Sequence, residues 1–185
     1  LAALGLSRPH MPYKGLIMAI LISPMIVPLI ITAAGMFFFY ARINLVYTFT
    51  GVILAHVALA TPFVVITVTA TLVGFDMNMV KASQSLGARP VRTFFKVIMP
   101  LILPGVISGA LFAFITSFDE VVIVMFMASL DQLTIPKQMW AGIRQEISPV
   151  ILCMATCLVA LSIFLLTTVE LLRRRSEKLR GIKSR

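Results

Sequence analysis

The sequence predicts an all-α membrane protein, a polytopic bundle of helices. Three observations predict it. Mean hydropathy is +1.02, with 59% of residues hydrophobic and 12% charged. Runs 15–41, 43–75, 97–118 and 147–169 contain no Asp, Glu, Lys or Arg, and a helix needs about 20 such residues to cross the hydrocarbon layer. The basic residues also alternate with these runs in a one-sided way. Barrel strands are excluded by the run lengths and by the lack of strict alternation. A soluble core this apolar is a much weaker reading. The spans are expected at about 15–40, 45–74, 100–127 and 149–172, with a polar loop at about 76–99, all in one transmembrane domain covering 1–185.

The net charge is +9, and its placement decides its meaning. Arg8 and Lys14 precede the first span. Lys81, Arg89, Arg92 and Lys96 lie between the second and third. Arg173, Arg174, Arg175, Lys178, Arg180, Lys183 and Arg185 follow the fourth. If the spans alternate, all of these share one side, and only Arg42, Lys137 and Arg144 face the other. Positive residues mark the cytoplasmic side. The N-terminal end, the central loop and the C-terminus are therefore expected in the cytoplasm. The basic tail is suited to anionic lipid headgroups; nucleic acid is not expected as a partner.

The first span contains Pro24 and Pro28, each of which removes an amide from the helical ladder and kinks it. A broken helix can line a pathway, but prolines are also commoner in membrane helices. Phe37, Phe38, Phe39 and Tyr40 lie at its outer boundary, where Tyr40 suits an interfacial position. The second span holds His56 and Pro62. A polar group in the bilayer is costly and faces protein or water. His56 is thus a candidate pathway residue, although a histidine hydrogen-bonded to a neighbouring helix is the blander expectation. Thr61, Thr67, Thr69 and Thr71 can bond to their own helix or across to another.

The polar loop has a clear local grammar. Asp76 and Asn78 can each cap a helix. Val80 to Leu86 can continue that helix, and Gly87 stands where a left-handed residue closes it. Pro90 blocks continuation. A second helix follows near Val91, with Phe94, Phe95, Val97 and Ile98 as its apolar residues and Arg92 and Lys96 four apart on another face. A short helix between two spans is a natural docking element.

The pattern Lys81-Ala82-Ser83-x-x-Leu86-Gly87-Ala88, then Phe94-Phe95, then Ile98-Met99-Pro100-Leu101-Ile102-Leu103-Pro104-Gly105 resembles the cytoplasmic EAA loop of ABC-importer permeases. The resemblance implies a type I permease fold whose loop couples to ATP-hydrolysing subunits through Val80, Lys81, Ala82, Ser83, Leu86, Gly87, Ala88, Pro100 and Pro104. Lys81 departs from the usual Glu and Ser83 from the usual Ala. These permeases usually have six spans, so the chain is expected to be N-terminally truncated, lacking the first pair. Leu1 to Leu6 is then the end of a missing span. The resemblance also implies three kinds of partner. They are ATP-binding cassette ATPase subunits, a second permease subunit that is identical or homologous, and a periplasmic solute-binding protein, all at the bacterial inner membrane. The stretch His56–Val68 resembles the span preceding that loop in polyamine-type permeases.

Pro100 and Pro104 fit the first turn of the third span. Gly105, Ser108, Gly109 and Ala110 permit close helix approach. Asp119 and Glu120 interrupt the apolar run and, as neighbours about 100° apart on a helix, cannot share a face. A carboxylate near a pathway suits a cationic solute, since pairing offsets part of both desolvation costs. The alternative is an interfacial pair that caps or positions helices. The segment from Ser117 to Ile123, followed by Leu133 to Trp140, resembles the second permease subunit of spermidine/putrescine-type importers. Asp119, Glu120 and His56 are the candidate pathway residues.

The outer loop carries Asp131, Trp140, Arg144 and Glu146, with a short helix expected around Lys137–Gln145. Trp140 suits an interfacial anchor, and the same surface can receive the solute-binding protein. Pro149 opens the fourth span, and Glu170, Arg173 and Arg174 end it. Cys153 and Cys157 share a face at a spacing poor for a disulfide and are expected as small packing residues. No metal site, cofactor or catalytic set is expected. Without a Gly-rich phosphate loop the chain is not the subunit that hydrolyses ATP. A secondary transporter or channel is the competing function. It has no need of a helix-glycine-helix docking loop, and ion coupling favours more intramembrane acids than this one pair.

Overall fold

The computed structural model describes residues 1–8, 10–145 and 148–179. Glu146 of the outer loop and Arg180, Lys183 and Arg185 of the tail lie outside the described residues, as do the side chains of Arg173, Arg175 and Lys178. Helices are the only regular secondary structure among the described residues, which contain no strands. In order they form α1 (Ala2–Leu6), α2 (Lys14–Ile26), α3 (Leu29–Arg42), α4 (Phe49–Val73), α5 (Asn78–Ser85), α6 (Pro90–Thr93), a π-helical turn (Phe94–Ile98) and α7 (Met99–Phe118). Then follow α8 (Val122–Met127), a 3-10 turn (Leu130–Gln132), α9 (Ile135–Gln145) and α10 (Pro149–Leu179). Phe49–Val73, Pro90–Phe118 and Pro149–Thr168 are each long and apolar enough to cross a membrane.

The first expected span is not one kinked helix. Its two halves, α2 and α3, meet at 105°. The break falls at Val27 and Pro28, both extended, with ψ of 136° and 129°. The Pro28 ring disfavours the helical region for Val27, and Pro28 has no amide to donate. Pro24, by contrast, stays inside α2. It leaves the Ile20 carbonyl without its usual amide, and the Ser23 hydroxyl donates to that carbonyl at 2.8 Å.

The second span begins at Phe49 rather than Leu45. Asn44 and Tyr47 take positive φ of 55° and 61°, which ends any helix there. Thr48 then caps α4, its Oγ1 accepting from the Gly51 amide at 3.0 Å. The third span differs at both ends from the expected 100–127. Its helix runs unbroken from Pro90, because the π turn carries the ladder through Pro100, the Met99 amide reaching back to Phe94. Pro100 and Pro104 therefore sit within a continuous span, not at its origin. The helix stops at Phe118, and a new one starts at Val122.

α4 and α7 make the most extensive helix pair. Gly105 faces Thr71 and Gly109 faces Thr67 and Val64, so closely that a Cβ at either glycine would overlap the threonine hydroxyl. Both threonines bond back to their own helix, to the carbonyls of Phe63 and Thr67 at 2.8 and 2.9 Å. That spends their polarity and turns them into compact packing surfaces, as close packing in lipid requires. One core, Ala3, Val68, Leu72 and Ile102, ties α1 to this pair. A second, Ala33, Ala55, Leu59, Ile123 and Met127, joins α3, α4 and α8.

α10 behaves differently. None of the apolar window in Pro149–Thr168 is buried within the chain. Cys153 and Cys157 are free thiols and exposed, so they do not pack inside this chain as expected. The helix also runs past Leu172 to Leu179. A Glu170–Arg174 ion pair of 2.9 Å at i, i+4 supports this extension.

Candidate functional site

The loop between α4 and α7 is built from its own residues. Asp76 Oδ1 accepts from the Asn78 amide at 2.9 Å in a turn just ahead of the helix; Met77, not Asp76 or Asn78, takes the N-cap place, without a side-chain cap bond, and Asn78 becomes the first helical residue. α5 buries no residue. Gly87 takes φ of 78°, in the left-handed region that glycine adopts without a Cβ penalty. The Ala88 amide donates to the Ser83 carbonyl and the Gly87 amide to Gln84, closing the helix end. Arg89 is extended, and Pro90 opens α6. Ser83 and Thr93 are joined by a 3.1 Å hydroxyl–hydroxyl bond, which fixes α5 against α6. Leu86, beside the bend, is 89% exposed. Val80, Ala82 and Ser83 lie on α5 with Lys81, Ala88 follows the Gly87 bend, and Pro100 and Pro104 belong to the span that follows.

The candidate pathway residues are separated by the fold. His56 Nδ1 and Ser117 Oγ are 2.8 Å apart, bridging α4 and α7. They meet in a cavity of about 530 Å³, lined also by Val52, Phe114, Phe118, Thr134 and Leu158. The histidine is thus bonded to a neighbouring helix and faces a cavity at once. Asp119 and Glu120 do not line that cavity. Asp119 is exposed, whereas Glu120 is only 7% exposed. Glu120 Oε1 accepts from the Ile123 amide at 2.7 Å, capping the start of α8.

Two contributors escaped the sequence reading. Lys137 folds back to donate to the carbonyls of Val124 and Ala128 at 3.2 and 3.4 Å. Ser117 is the penultimate residue of α7, two before Asp119, with nothing local to mark it as the partner of His56. The α8 region is further held by the Tyr47 amide on the Met127 carbonyl at 2.9 Å and by Gln132 on the Tyr47 carbonyl at 3.1 Å. In α9, Arg144 stacks over the Trp140 ring at 5.4 Å. No group of three or more His, Cys, Asp or Glu side chains comes together among the described residues.

The helical bundle as a whole is matched at family level. Residues 1–178 match the family described as binding-protein-dependent transport system inner membrane component. The chain belongs to this family. It is a multi-pass inner-membrane permease component of a binding-protein-dependent transport system.

The permease is also similar to individual relatives. It is 30% identical over 176 residues to the spermidine/putrescine transport system permease protein PotC of Haemophilus influenzae, covering 95% of this chain and 68% of that protein. It is 29% identical over 178 residues to the Escherichia coli K12 protein of the same description, covering 96% and 67%. The putrescine transport system permease protein PotI of Escherichia coli K12 is 35% identical over 103 residues, 56% of this chain and 37% of that protein.

Proposed function

We propose that this permease is the coupling and pathway subunit of an ATP-driven importer for polyamines, acting as one transmembrane unit without catalysing a reaction itself. The observation that carries the reading is the unburied helix α5 closed by Gly87 at positive φ. A short element that rests on α6 yet buries none of its own residues is shaped to be held by a partner. ATP hydrolysis then belongs to separate ATPase subunits, and α5 with residues 80–88 passes their closure to α7 through the Ser83–Thr93 bond and the π turn. The basic loop and tail face the cytoplasm, and α9 faces the solute-binding protein. A second permease subunit covers α10, whose apolar window buries nothing in this chain.

Polyamines are the substrate class favoured by the names of the similar permeases. Asp119 is the carboxylate available to a cationic solute, because Glu120 is buried and engaged with the α8 amide. The cavity beside His56 is largely apolar and suits the methylene part of such a solute. The test is uptake into proteoliposomes holding the full-length permease, its partner permease and the ATPase, with binding protein and labelled spermidine. ATP-dependent accumulation, competed by putrescine and not by sulfate or thiamine, supports the reading. ATP-dependent uptake of a different solute class removes the substrate assignment, and ATP-independent uptake removes the importer assignment.

A further inference from the structure

The coupling loop carries an unbalanced charge. Lys81, Arg89, Arg92 and Lys96 are all exposed. Asp76 is the acid in the same stretch, and its carboxylate is engaged with the Asn78 amide. Among the described residues no ion pair reaches any of the four cations. Neither α5, α6 nor the π turn contains an acid. Charges left unpaired within a fold remain available to a partner of the opposite sign.

Geometry narrows that partner. A cleft of about 660 Å³ lies between α5 and the α6–π segment, lined by Met79, Ser83, Leu86, Arg92, Lys96 and Val97. Arg92 and Lys96 are one turn apart and present their charges to the same cleft. Its other wall is apolar and includes Leu86, 89% exposed. A planar guanidinium with an ammonium beside it suits a carboxylate held from two sides. The apolar wall suits the side chains flanking such a carboxylate on a folded surface. A lipid headgroup needs neither the cleft nor the apolar wall.

We propose that the ATPase surface receiving this loop is acidic, and that one of its carboxylates enters the cleft between Arg92 and Lys96 while Lys81 pairs with a second. This rests on the coupling reading above and adds the sign and position of the contact. The interface is thereby electrostatically steered, and its assembly depends on salt.

The test uses the full-length permease pair in nanodiscs and the purified ATPase subunit of the same importer, with affinity measured from low to moderate salt. The expected wild-type result is a several-fold loss of affinity as screening shortens the Debye length from about 30 to about 8 Å. Arg92→Glu with Lys96→Glu is expected to weaken binding by roughly tenfold or more. Lys81→Glu alone, on an exposed position, acts in the same direction without touching the cleft, and Arg92→Lys, which keeps the charge but not the planar fork, retains part of the affinity. Reversing an acid on the ATPase docking face to Lys is expected to restore part of the binding to the Glu variants. Salt-independent binding that ignores all of these changes overturns the inference while leaving the coupling reading intact. If the variants instead change only association with phosphatidylglycerol vesicles, the surface is a lipid site and the inference falls. If the wild-type pair does not bind the ATPase at any salt, the coupling reading fails first and takes the inference with it.

Discussion

Glu120 and Lys137 hold opposite ends of one six-residue helix. The Glu120 carboxylate accepts from the Ile123 amide at the start of α8, and the Lys137 ammonium donates to the Val124 and Ala128 carbonyls at its end. Each charge meets the end of the helix dipole that it favours. A helix this short is unstable alone; burial of Ile123, Val124 and Met127 against α3 and α4 holds it in place, and these two residues fix its ends.

Removing either clamp loosens α8. Glu120→Ala leaves the Ile123 amide buried and unpaired, at a cost of about 1–3 kcal/mol. Lys137→Met removes the favourable charge at the C-terminal end and costs about 1 kcal/mol. Thermal unfolding of the assembled complex in detergent measures both. Unchanged midpoints for both variants contradict the clamp.

The two adjacent carboxylates are expected to separate in function. Asp119→Asn preserves stability, because the side chain is exposed, but lowers uptake of a dicationic solute by roughly tenfold or more through loss of a charged contact worth about 1.5–3 kcal/mol. Glu120→Gln keeps the shape and an acceptor oxygen, so its uptake stays closer to wild type at matched amounts of folded complex. Equal uptake by Asp119→Asn and wild type contradicts the pathway role of Asp119.

The α4–α7 contact depends on its glycines. Gly109→Val forces side-chain atoms into Thr67 and Val64, and overpacking of this kind costs about 1–3 kcal/mol. Gly35→Ala is the control, since nothing lies within 4 Å of its Cβ position in α3. There the change is expected to stabilise the helix by about 0.5–1 kcal/mol. Comparing the unfolding midpoints of the two variants separates packing from helix propensity.

Much of this architecture was legible in the sequence, and the exceptions have physical causes. The apolar runs, the short helix α5 and the left-handed Gly87 all follow from local chemistry, and local chemistry is what a sequence displays; the N-cap itself fell on Met77 rather than on Asp76 or Asn78. The small residues at 105 and 109 announced a close helix contact, although Thr67 and Thr71 as their partners did not follow. The 105° turn at Val27–Pro28 was underestimated because a proline in a membrane helix can be tolerated, as Pro24 is, or can end it. The difference lies in Ser23, which satisfies the carbonyl freed by Pro24. The third span was started too late because the π turn before Pro100 has no sequence signature. Glu120 caps α8, the role that the alternative reading of the carboxylate pair allowed, whereas Ser117 found its role through His56, a residue of another segment. The exposed cysteines show the remaining limit: an apolar helix looks the same in sequence whether it packs in its own chain or presents its surface outward.

The central claim is that α5 and Gly87 couple this permease to an ATPase. It is tested most directly by co-purifying the full-length chain with its partner permease and ATPase and measuring ATPase activity with and without the binding protein, for wild type and for Gly87→Val. At φ of 78° a β-branched residue is strained by roughly 1–3 kcal/mol, so the loop is expected to lose its shape while the spans stay folded. The account predicts a wild-type complex whose ATPase activity rises with binding protein, and a Gly87→Val complex that loses assembly or that stimulation. A wild-type chain that binds no ATPase, or a Gly87→Val variant that is stimulated as fully as wild type, contradicts it.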